Sequence, residues 1–219
     1  MPAPTSPARG ASADTVEDLL STAERLFAEL GVANVALTQI VAESGQKNRS
    51  ALHYHFGSRG GVLSAVMDRR LASINARRMA LLEALPPNPP AAEVVRANIA
   101  ALAATVVDEP WGPNYISILA QVRFHPGLLD HNLLHEESLL GVRLARQLLA
   151  AAASDVAPER LARRFAWVSD AVVFELARWT GATPPPGRTA AAIAPLIEEL
   201  TAFGTAGLLA GPPSRSPDP

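Results

Sequence analysis

The chain has 219 residues, a formal net charge of −2, 48% hydrophobic residues and no cysteine. That length suits one large domain, or a small one joined to a larger one, with a substantial core. The missing cysteine excludes a disulfide framework and thiolate metal sites, and the near-neutral charge argues against nonspecific coating of nucleic acid while leaving room for a local basic patch.

Residues 1–13, "MPAPTSPARGASA", hold no apolar run long enough for a signal peptide. No stretch approaches the roughly 18–20 uncharged apolar residues of a membrane helix. The expectation is a cytoplasmic protein with no membrane partner. Residues 1–13 and the tail 211–219, "GPPSRSPDP", read as disordered. Between them nearly every segment has helical period and none shows convincing strand alternation. The predicted fold class is all-α.

Asp14 and Glu17 stand in capping-box spacing at the start of a first helix. Val16, Leu19, Leu20, Ala23, Phe27 and Leu30 form its apolar stripe, and Gly31 ends it. A short helix follows at about Leu37–Glu43, stopped by Ser44 and Gly45, and another at about Arg49–His55, stopped by Gly57. Ser58 can cap a long helix to about Ala84, which "LPPNPPAAE" breaks. Later helices are predicted at about Ala91–Asp108, Asn114–Phe124, Glu136–Ala153, Pro158–Thr180 and Arg188–Leu209, with Pro158 suited to a first turn.

The stretch "QKNRSALHYHFGSR", from Gln46 to Arg59, contains no acid and holds the only lysine. Two short helices joined by a Gly-containing turn, after a longer supporting helix, have the form of a helix-turn-helix. Asn48 is a good N-cap for the second of them. Helical period puts Leu52 and Phe56 on one side, to pack against Phe27, Leu30 and Ile40, and Ser50, His53 and Tyr54 on the other. Lys47 and Arg49 sit at its start, where helix amides also favour an anion. The helix opened by Ser58 and Arg59 carries no acid in its first turn, so its free N–H groups can approach a second phosphate. Such a surface suits double-stranded DNA.

From about Leu19 to Met67 the chain resembles the DNA-binding domain of TetR-family transcriptional regulators. The matching pieces are "AERLFAELGV", "QIVAESG" and above all "ALHYHFGSRGGVLSAV". Departures from the family pattern are one extra residue between Gly45 and Leu52, Ala36 in place of a capping hydroxyl residue, His53 where tyrosine is common, and Gly60 in place of an acid. The resemblance implies a helix-turn-helix domain at 14–62 and a helical ligand-binding and dimerisation domain at 63–210. It implies a homodimeric repressor that binds an operator and a small-molecule effector. It places phosphate contacts on Tyr54, His55 and Arg59, base readout on Arg49, Ser50 and His53, and Lys47 and Asn48 in the same surface. It also implies a dimer interface on the last two helices, where Val172, Leu176, Ile193, Leu196, Ile197, Leu200 and Phe203 form apolar seams that could equally serve the intrachain core.

In the larger domain, Asn114, Ser117 and Gln121 recur as a neutral polar stripe beside Tyr115. It reads either as a solvent-facing strip or as a pocket wall, since pockets are mostly apolar with a few neutral polar groups. Trp111, Phe124, Trp167 and Phe174 are either further pocket lining or plain core. His131 and His135 stand at i, i+4 beside Glu136, but no third ligand is indicated, so no metal and no cofactor are expected. No Gly-rich phosphate loop or nucleophile elbow points to catalysis, and the chain reads as no enzyme. A metal-dependent enzyme built on His125, His131, His135 and Glu136, or a helical adaptor, are the competing classes.

Overall fold

The computed structural model describes residues 10–45, 56–128 and 135–211. Among these, α1 is Gly10–Leu30, α2 Leu37–Glu43, α3 Arg59–Glu83, α4 Ala91–Asp108, α5 Gly112–Phe124, α6 Leu140–Ala152, α7 Pro158–Ala182 and α8 Ala190–Leu209. Short 3-10 turns at Val32–Asn34, Pro126–Leu128 and Glu136–Leu139 link them. No strand occurs among the described residues. α1 begins at Gly10 rather than at Asp14, an added turn that Ala11 and Ala13 favour.

The chain divides into two compact units, 1–71 with 114–136, and 72–113 with 137–219. In the first, α1 buries Leu19, Leu20, Ala23, Leu26 and Phe27. Leu30, expected in the same stripe, is 46% exposed, and Leu26 completes the buried face instead. Ile40 and Val41 of α2, Val62, Leu63 and Val66 of α3, and Ile116 and Ile118 of α5 are also buried. Each fully buried side chain of this size contributes about 1.5–3 kcal/mol.

The second unit is built on α4, whose Val94, Val95, Ile99, Leu102 and Val106 are buried on several sides. It packs against α6, α7 and α8. Gly204 lets α8 close on both neighbours: a Cβ there would stand 2.9 Å from Val168 of α7 and 3.3 Å from Val95 of α4. Two arginines finish the last helices. Arg164 donates to the carbonyls of Leu208 at 2.9 Å and Ala210 at 2.6 Å, at the end of α8. Arg188 donates to those of Thr183 at 2.7 Å and Thr180 at 2.9 Å, at the end of α7. Carbonyls that a helix end leaves unpaired are satisfied in both cases by a cation suited to the negative end of the dipole. Thr189 caps the start of α8 by accepting from the Ala192 N–H at 3.1 Å.

By length and composition alone α8 is apolar enough to cross a membrane, with a mean hydropathy of 1.3. Packed helices of globular folds share that property. One flank of α8 is buried on its neighbours, while Phe203 and Leu209 stand in solvent.

Candidate nucleic-acid interface

Lys47, Asn48, Arg49, Ser50, His53, Tyr54 and His55 lie outside the described residues. What is described is the frame on either side of them, and it belongs to the first unit. α2 enters without a side-chain cap at Ala36. Ser44 closes its other end, its N–H bonded to the Ile40 carbonyl at 3.0 Å and its hydroxyl to that of Val41 at 3.0 Å. Arg25 ties α2 to α1 through Glu43 at 2.6 Å and also bonds Glu29 at 3.0 Å. The Arg25 guanidinium, and after it the Gln39 amide, hold the Glu43 carboxyl below its usual range. A lowered carboxyl contributes above its ordinary range and is lost as acid protonates it, so this tie is complete at neutral pH.

On the far side, Ser58 caps α3 as expected: its hydroxyl accepts the Gly61 N–H at 3.1 Å, and its carbonyl accepts the Val62 N–H at 3.0 Å. Arg59, expected on a phosphate, donates from Nη1 to the Ala33 carbonyl at 2.7 Å. It therefore braces α3 against the 3-10 turn between α1 and α2. A guanidinium has five donors, and this contact uses one.

Gly61 has a steric reason to be glycine. A Cβ there would run into the Phe56 carbonyl, which lies over the first turn of α3. Gly61→Ala is expected to displace Phe56 and the chain leading into it, costing about 1–3 kcal/mol and reducing DNA affinity. Gly60→Ala is the control, since its Cβ would meet only the Ser58 hydroxyl at 3.7 Å. It is expected to be stabilising by up to about 1 kcal/mol. Urea unfolding and gel shifts on both variants check the pair; equal behaviour would refute the assignment.

α1 and α3 are joined by charge. Arg70 forks onto Glu24, with Nε at 3.0 Å and 3.1 Å from the two carboxylate oxygens and Nη2 at 2.6 Å. Arg69 pairs with Glu17 and donates to the Ser21 hydroxyl. Burial, and after it the neighbouring Arg70, push the Arg69 guanidinium below its ordinary range. Asp68, one residue earlier, holds the His135 ring at 2.8 Å and its backbone N–H. His131 lies outside the described residues, and among those described no group of three His, Asp or Glu side chains is placed for a metal. Sequence reasoning missed the Glu24–Arg70 fork. Its only local signal is the i, i+4, i+7 row Glu17, Ser21, Glu24 and the adjacent "DRR" of α3.

The polar stripe of α5 has a definite partner in the same unit. Gln121 accepts the Val32 N–H at 2.8 Å and donates to the Phe27 carbonyl at 3.0 Å. Ser117 donates to the Ala28 carbonyl at 3.4 Å. Both serve the end of α1. Asn114 is half-buried and Tyr115 fully buried beside them. Phe124 is 70% exposed, edge-on to His125. Trp111 and Phe174 are half-buried in the other unit, where Trp167 is 62% exposed. Of the seam residues, Val172, Leu176, Ile193 and Leu200 are buried within the chain, Leu196 and Ile197 are half-buried, and Phe203 is 59% exposed.

Residues 19–66 match the family model described as bacterial regulatory proteins of the tetR family, and residues 96–207 match that of the tetracyclin repressor-like C-terminal domain. The chain belongs to the TetR family. The TetR-family fold also relates it to solved structures. The fatty acid degradation regulator FadR from Bacillus halodurans is 14% identical, with 94% of this chain and 98% of that one covered at a TM-score of 0.60. A TetR-like transcriptional regulator from Rhodococcus sp. RHA1 is 18% identical, with 89% and 97% covered at 0.56. PfmR from Thermus thermophilus is 19% identical, with 87% and 96% covered at 0.52. No curated protein matches the chain. This TetR-family protein is a helix-turn-helix DNA-binding transcriptional regulator, with an all-α fold.

Proposed function

We propose that the protein is a homodimeric repressor that leaves a near-palindromic operator when a largely apolar small molecule binds its larger domain. The observation that carries the DNA half is the frame around residues 46–55: Ser58, Arg59 and Gly61 on one side, and the Arg25–Glu43 tie on the other. Residues 14–62 form the reading domain and 63–210 the ligand-binding and dimerisation domain. Arg49, Ser50 and His53 read bases. Lys47, Tyr54 and His55 contact phosphate, as do the free donors of Arg59. The effector reading rests on family membership and on the wealth of neutral and apolar residues in the larger domain. FadR is named as a regulator of fatty acid degradation, which is in keeping with an apolar effector here.

Half-sites in such dimers lie about 34–36 Å apart or a multiple of it. Footprinting on the DNA upstream of the protein's own gene is expected to give one symmetric protected site. Six to ten phosphate contacts would make affinity fall by roughly 10³–10⁵-fold between 50 and 200 mM salt. Arg49→Ala is expected to relax base preference, by about 1–3 kcal/mol for a lost bidentate contact, whereas Tyr54→Phe weakens all sequences alike. An asymmetric or salt-insensitive footprint would overturn the reading.

A further inference from the structure

We propose that Gln121 is a positioning residue for DNA reading, although it lies far along the chain from the helix-turn-helix. A helix that ends in a left-handed glycine usually bonds the N–H two residues past its end to the carbonyl three residues before it. Here those groups are the Val32 N–H and the Phe27 carbonyl. Gly31 has φ 88° but ψ 137°, which sends the chain onward extended and separates the two. The Gln121 carboxamide fills the gap and bonds both, at 2.8 Å and 3.0 Å. Ser117, one turn earlier on α5, bonds the Ala28 carbonyl. Asn34 takes the Leu30 carbonyl at 2.8 Å. The end of α1 is therefore capped in large part by another helix.

The link from this cap to DNA runs through the turn that Val32 opens, Val32–Asn34. The carbonyl of Ala33, its middle residue, is the one that holds Arg59 at the start of α3. Gln121 thus fixes the turn, and the turn fixes Arg59. It does so with both ends of a planar amide, the Oε1 accepting and the Nε2 donating, and an ionised carboxylate lacks the donor for the second bond.

The role of Gln121 rests on the DNA-binding function proposed for the chain, and its test separates the two. Operator affinity, affinity for unrelated DNA, sedimentation and amide exchange are measured on wild type, Gln121→Leu and Gln121→Glu. Gln121→Leu is expected to remain a dimer, to lose about tenfold in operator affinity for two lost hydrogen bonds, and to exchange the Val32 amide faster. Its affinity for unrelated DNA should change less, since register rather than charge is lost. Gln121→Glu keeps the acceptor and regains a donor only when protonated. Its affinity relative to wild type should therefore improve as pH falls from about 7 to about 4.5, through the ordinary glutamate range, which a merely structural defect would not produce. Wild type without a specific site overturns the DNA reading. Wild-type operator affinity in Gln121→Leu, or a Gln121→Glu ratio that ignores pH, overturns the role of Gln121 alone. If Gln121→Leu does not fold, the pH ratio of Gln121→Glu decides.

Discussion

Arg70→Met is expected to destabilise the first unit by about 3–5 kcal/mol. The Glu24 side chain is only 4% exposed, and the Arg70 fork is what offsets its lost hydration. Removing the guanidinium leaves a carboxylate in the core, with poor access to water. Removing both charges is a different experiment. Glu24→Leu with Arg70→Met fills the site with apolar atoms of similar volume, and such exchanges are often neutral or stabilising. Urea unfolding of the single and double variants measures the difference. A double variant as unstable as the single one would show that the stranded charge is not the cause. Operator binding should follow stability in this series, because α1 carries α2 through the Arg25–Glu43 pair.

The second large effect concerns assembly. Trp167→Glu with Phe203→Glu is expected to give a folded monomer whose operator affinity falls by about 10²–10⁴-fold, the advantage lost when two linked half-site contacts become independent. Both side chains already face solvent in the single chain, at 62% and 59% exposure, so their charge costs the subunit little. Each is the sequence neighbour of the Val168–Gly204 contact between α7 and α8. The Arg163 guanidinium lies 5.9 Å from the Trp167 ring centroid. On a two-fold interface each new charge appears twice. Analytical ultracentrifugation and anisotropy on the same samples read both effects. A double variant that stays dimeric and operator-bound would remove this face from the interface.

Local chemistry made much of this fold legible. The Pro-rich break before Ala91, Pro158 in its first turn and Ser58 at the start of α3 each act within a few residues, and the helices they bound run as expected. The TetR-family resemblance was likewise carried by short contiguous runs, above all "ALHYHFGSRGGVLSAV", and the family model matches residues 19–66. What stayed hidden depends on partners distant in sequence. Ser117 and Gln121 looked like a stripe of their own helix, because the carbonyls and N–H they bond lie 89–94 residues earlier. The apolar seams of α7 and α8 show the same limit. Period alone marks Val172, Leu176 and Phe203 alike, and only the packing of the folded chain puts the first two inside and leaves the third in water.

The discontinuity of the first unit has a consequence for how the protein is made. Ribosomes add about 5–20 residues per second, and domains usually fold as their sequence emerges. When residue 71 has been joined, the whole helix-turn-helix segment exists, but the carboxamide that closes the end of α1 does not. It arrives with residue 121, about 3–10 seconds later at those rates. During that interval the nascent segment has its hydrophobic face but not its finished turn. Pulse proteolysis of stalled nascent chains should find cleavage near Gly31 while synthesis stops short of α5, and protection once α5 has cleared the ribosome.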